Sequence, residues 1–184
     1  MGEILRVLTR SKIIEFIQEG KQLSPKVGTA VLDDFEKNQP YLYNAIFGEL
    51  SGSIAKESLD MADLFLDLCF DIIFVYKKAS GDKIAESRDE SWFANKVALL
   101  DAELKSLDNG SVMNGKFRER LSNRFVERCV EAGVQLEFLS YLDEQVQHYA
   151  SFKSSRKKAI HVTNNLLFVV IRLMDDIYRD SNSV

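Results

Sequence analysis

Residues 59–76 read LDMADLFLDLCFDIIFVY, an almost unbroken apolar run interrupted by Asp60, Asp63, Asp67 and Asp71. Spacings of three and four residues are those of an α-helix. At about 100° per residue the four aspartates share an arc of roughly 80°, while Met61, Leu64, Phe65, Leu68, Cys69, Ile72, Ile73 and Val75 cover most of the rest. A helix with so much hydrocarbon around it belongs inside a core, and the chain must supply other helices to cover it. Its carboxylates then form either a solvated seam or a functional cluster.

The neighbouring sequence supplies those helices. Only two prolines and nine glycines occur in 184 residues, and a mainly helical chain does without closely spaced turn residues. Upstream, a first amphipathic helix is expected over about 2–18, burying Ile4, Leu5, Leu8, Ile13, Ile14 and Ile17, with Gly20 ending it. Ser24-Pro25 opens a second, with Ser as cap and Pro at the first helical position. Gln39-Pro40 opens a short third carrying Leu42, Ile46, Phe47 and Leu50, closed by Ser51-Gly52-Ser53. The aspartate-bearing helix follows over about 54–79 and stops at Ser80-Gly81-Asp82.

Downstream, Ser87-Arg88-Asp89-Glu90 reads as a capping box before a helix presenting Trp92, Phe93, Val97, Leu100, Leu104 and Leu107. Two helices divide near Gly133, one striped by Phe117, Leu121, Phe125 and Cys129, the other by Leu136, Leu139, Leu142 and Val146. A last long helix covers about 155–179. The expectation is an all-α fold over residues 1–184: a single-domain bundle of about seven to eight helices, with two long apolar central ones. Residues 39–46 and 135–142 resemble each other faintly, and each precedes a break and a long apolar helix, the pattern of a duplicated helical hairpin.

Charge and composition narrow the classes of function. The net charge is −4, which gives no general attraction to nucleic acid or anionic lipid. Cys69 and Cys129 are the only cysteines and read as small core residues in a reducing compartment. The first sixteen residues alternate apolar and charged side chains, unlike a secretory signal, and no apolar run is long enough to span a bilayer. A cytoplasmic protein without a membrane partner is expected. His148 and His161 form no E-x-x-H or H-E-x-x-H pair, and no P-loop, G-x-S-x-G or G-x-G-x-x-G occurs.

Three groups of residues remain as candidates. Hard carboxylate oxygens on adjacent helical turns suit magnesium, and Glu57 with Asp60 forms an E-x-x-D pair that Asp63 extends. Together with Asp33-Asp34-Phe35-Glu36, this pair resembles the paired acidic motifs of all-helical nucleotide pyrophosphohydrolases of the MazG type over about thirty residues. The resemblance implies a magnesium site at Asp33, Glu36, Glu57, Asp60 and Asp63. Without it, no cofactor and no catalytic residue is expected, and the aspartate stripe is a solvated seam.

The second group is basic. Lys153, Arg156, Lys157 and Lys158 follow Tyr149 and Phe152, a combination suited to an anion or RNA, although nucleic acid is not the expected partner. Positive charge at a helix N-terminus opposes the helix dipole unless something negative sits there. Arg120, Arg124 and Arg128 form a further basic row. The third group is aromatic: Tyr41 and Tyr43, crowded beside Pro40 and Phe47 on a short helix, offer a surface to a partner. The abundance of apolar helical surface, set against incomplete catalytic motifs, gives the expected function: a helical interaction or regulatory module that forms a homo-oligomer such as a homodimer, or binds a protein partner.

Overall fold

The computed structural model describes residues 7–108, 127–150 and 156–180. Residues 10–21 form α1 (Arg10–Lys21), followed by α2 (Pro25–Asn38) and α3 (Pro40–Asn44). A π-helical turn, Ala45–Leu50, joins α3 to α4 (Ser51–Ala55). Then come α5 (Leu59–Ala79), α6 (Glu90–Asp108), α7 (Leu136–Ala150) and α8 (Lys157–Asp180), with a helical turn at 127–131 before α7. The described residues thus hold eight α-helices and no strand, the all-α architecture expected from the hydrophobic periodicity.

The two long helices α5 and α8 pack against each other at the centre. From α5, Phe65, Ile72, Ile73 and Val75 are fully buried, and from α8, Val170, Ile171 and Met174. Helices α1 and α4 cover α5, α7 covers α8, and α6 packs on α8 and on α3. Each long helix therefore packs on the helix just before it. Cys69 and Cys129 are buried free thiols, and burial pushes the Cys69 thiol well up.

Several boundaries differ from the sequence expectation, each for a local reason. Gly20 does not end α1 but lies inside it, buried against α5, where an added Cβ would stand 3.0 Å from Phe74 Cδ1. It is a close-approach glycine rather than a helix stop. Ser51-Gly52-Ser53 does not break the chain either: Ser51 Oγ donates to Gly48 O at 3.3 Å and Ser53 Oγ to Glu49 O at 2.8 Å, so helix runs on and the break falls at 56–58. The cap of α6 is Asp89 rather than Ser87, since Asp89 Oδ1 accepts from the Trp92 N–H at 2.8 Å. That bond and the Ser91 hydroxyl hold the Asp89 carboxyl below its ordinary range, with the hydroxyl the larger cause.

Other punctuation matches. Ser24 holds the cap position of α2, without a side-chain cap bond, and Pro25 stands at the first helical position, while α5 ends where Gly81 (φ +74°) and Asp82 (φ +61°) turn into the left-handed region. Gly133 (φ +61°) separates the 127–131 turn from α7. The expected first-helix residues Ile4 and Leu5, the stripe Phe117, Leu121 and Phe125, the arginines Arg120 and Arg124, and Lys153 lie outside the described residues.

Candidate functional site

The four aspartates of α5 share a helix face but not an environment. Asp60, in the first turn, is half-buried. Asp63 and Asp67 are exposed. Asp71 is buried, 2 % exposed. The ladder is therefore not a uniform wet seam, because α1 crosses its lower end and removes Asp71 from water. Lys21, the last residue of α1, reaches Asp71 with Nζ 3.1 Å from Oδ2, while its own side chain remains 60 % exposed. Burial pushes the Asp71 carboxyl up, Lys21 opposes that rise and the nearby Asp67 charge adds to it. A cleft of 190 Å³ opens here, lined by Gly20, Lys21, Asp67, Phe70 and Asp71.

At the upper end of the ladder, acids and bases singled out for separate reasons meet each other. Arg156, 7 % exposed at the start of α8, pairs with Asp60, and Lys158 pairs with Glu57. Ser58 also donates its hydroxyl to Asp60. Arg156 Cζ sits 4.9 Å from the centre of the Tyr149 ring, and Nη1 donates to Tyr149 O at 3.3 Å. The electrostatic logic is consistent at both helices. A carboxylate in the first turn favours the dipole of α5, and the same acids offset the cationic start of α8. The negative group demanded by a basic helix N-terminus comes from the chain itself.

The residues implied by the pyrophosphohydrolase resemblance are distributed as follows. Asp33 and Glu36 are exposed on α2 and Asp63 is exposed on α5, while Glu57 and Asp60 are engaged in the ion pairs just described. Among the described residues, no group of three or more His, Cys, Asp or Glu side chains is arranged to hold a metal. Of the basic cluster, Lys157 is exposed. Tyr41, 37 % exposed, stacks on Phe93 of α6 with ring centres 6.3 Å apart, and Tyr43 lies 4.5 Å from Phe47. The tyrosines thus help fasten α3 and its π turn, with Tyr41 also facing outward.

A polar network that the sequence does not single out lies inside the core. Tyr76 of α5 donates to Asp175 Oδ1 of α8 at 2.7 Å, and the Gln135 N–H donates to Oδ2 at 3.3 Å. Arg179, one turn on, stands 3.5 Å from Oδ2 and donates to Gly133 O at 2.6 Å. Gln135 Oε1 accepts from the Leu8 N–H at 2.8 Å, which ties the segment before α1 to the same cluster. Burial pushes the Asp175 carboxyl up to about 6 against the opposing effects of Tyr76, Arg179 and the Gln135 N–H. The spacing of Asp175 and Arg179 is the one available signal, and it says nothing of Tyr76 or Gln135.

The outward face of α6 carries exposed small and apolar side chains interleaved with exposed Ser91, Asn95, Asp101 and Lys105. Trp92, Phe93, Val97, Leu100 and Leu104 point to the core. On the opposite side Ala94, Ala98 and Ala102 repeat at four-residue intervals and are exposed, with Leu99 beside them 67 % exposed. No helix among the described residues is long and apolar enough to cross a membrane. Comparison with models of protein families, with curated proteins and with solved structures finds no match, so the functional reading rests on this geometry.

Proposed function

We propose that the chain is a non-catalytic helical interaction module that self-associates through the outer face of α6. The observation that carries this reading is the row Ala94, Ala98, Ala102 with Leu99, apolar surface on the side of α6 away from its own core. Small side chains let a second helix approach closely, and the occupant in this reading is a second copy of the chain. In a two-fold antiparallel pairing centred on Ala98, Ala94 of one copy faces Ala102 of the other. Lys105, which pairs with Asp101 one turn earlier on its own helix, then lies opposite Ser91, near the acidic start formed by Asp89 and Glu90. The opposed helix dipoles favour the same orientation.

The pairing of Glu57 and Asp60 with Lys158 and Arg156 supports an architectural role for residues that would otherwise suggest magnesium or an anion. Concentration-dependent association that is lost when a charge replaces Ala98 tests the proposal.

A further inference from the structure

We infer that Asp175 is a proton-operated latch: neutral, it holds the connector at Gln135 and the segment entering α1 against the core, and ionised, it lets both come away. The geometry is a chain of single contacts. Gln135, 1 % exposed, donates its backbone N–H to Asp175 Oδ2 at 3.3 Å and accepts the Leu8 N–H on Oε1 at 2.8 Å. Gly133, with φ +61° and its carbonyl held by Arg179 Nη2 at 2.6 Å, is the turn from which that connector runs.

The cluster is complete with a proton and poorly served without one. Tyr76 Oη lies 2.7 Å from Asp175 Oδ1 and 3.4 Å from Ile171 O. A protonated Oδ1 therefore donates to Oη while the hydroxyl turns to Ile171 O, and Oδ2 still accepts from Gln135. When the carboxyl is ionised, the contacts to Oδ2 are long: 3.3 Å from Gln135 N and 3.5 Å from Arg179 Nη2, which also serves Gly133 O. A buried anion held in this way gains from water, which reaches it once Gln135 and Leu8 move out.

The groups facing the carboxyl are Tyr76 from α5 and Arg179 and Asp176 from its own helix, with Asp176 paired to Lys96 of α6 at 3.0 Å. From the α7 side Gln135 presents an uncharged N–H, and the ion pair of Arg10 with Glu144 lies at the exposed edge of the α1–α7 contact. Burial pushes the carboxyl up to about 6 in the closed form, from an ordinary 3.8. Closure is then most favourable below pH 4 and weakens as pH rises through 6. The latch does not depend on the α6 interface and fails or holds separately from it.

The test is amide hydrogen exchange of the full chain between pH 5 and 8, followed by NMR, with each rate divided by the intrinsic rate at that pH. Leu8 protection is expected to fall about tenfold from pH 5 to 7, while Ile72 in the core of α5 stays far better protected, the mark of a local opening. In Asp175→Asn the Leu8 protection no longer changes with pH. Tyr76→Phe, which keeps the ring and removes a donor from the carboxylate, carries the fall to higher pH and decides the matter should Asp175→Asn not fold. A Leu8 amide unprotected at every pH, protected equally at pH 5 and 7, or exchanging only together with Ile72 would overturn the inference. So would a pH dependence that survives in Asp175→Asn or a profile unchanged in Tyr76→Phe.

Discussion

Arg156, buried at the start of α8, closes on Asp60 in the first turn of α5 and covers the Tyr149 ring as it does so. The contact fixes how the two central helices meet at one end. Arg156→Ala takes the buried guanidinium away from Asp60 and removes packing from Tyr149, and should destabilise the fold by about 2 kcal/mol, below the value for a fully buried pair because Asp60 is 38 % exposed. Asp60→Asn should cost less. Urea denaturation of both single variants and the double variant measures their coupling, and a coupling near zero would remove the pair's architectural role.

The Asp175 carboxyl gives stability a pH dependence of unusual sign. Its folded value of about 6 lies above the ordinary 3.8, so the folded state binds the proton more tightly than the unfolded chain. The contribution is most favourable below pH 4 and is lost as pH rises through 6, a change of about 3 kcal/mol. Asp175→Asn removes that dependence. The stability difference between wild type and variant should therefore move against wild type as pH rises from 4 to 7, and a difference constant across that range would contradict the assignment.

Glycines at two positions should respond in opposite directions to alanine. Gly20→Ala places a Cβ 3.0 Å from Phe74 Cδ1, and the repacking should cost about 1 to 3 kcal/mol despite the better helix propensity. Gly52→Ala, in α4, meets nothing within 4 Å and should stabilise by about 0.5 to 1 kcal/mol. Thermal unfolding of the two variants distinguishes the roles.

Glu57 and Asp60 are held by basic side chains, so millimolar magnesium should leave the thermal midpoint unchanged. A saturable rise, lost in Glu57→Gln, would instead favour the pyrophosphohydrolase resemblance, because a ligand bound only by the native state stabilises it.

The helices and their apolar faces were legible because periodicity is a local property. LDMADLFLDLCFDIIFVY marks its own burial, and the stop at Ser80-Gly81-Asp82 needs no distant partner. Gly20 and Ser51-Gly52-Ser53 were misleading because the same residue types serve two purposes. Glycine ends helices and also admits a close neighbour, while serine closes a turn or bonds back to its own helix. The fates of the aspartates were not legible at all. A helical wheel places Asp60 and Asp71 on one arc, but Arg156 and Lys21 arrive from other helices, the latter 50 residues away. Tyr76 and Asp175, 99 residues apart, meet only through the packing of α5 on α8.

Self-association through α6 is measured most directly by sedimentation velocity over about 5 to 500 μM, comparing wild type with Ala98→Arg. A single helix pair buries less than a standard interface, so the dimer should dissociate with a constant on the order of 10–100 μM. Wild type should move from monomer to dimer across that range while Ala98→Arg stays monomeric with unchanged helicity. A wild-type chain monomeric at every concentration, or a dimer that Ala98→Arg leaves intact, would contradict the account.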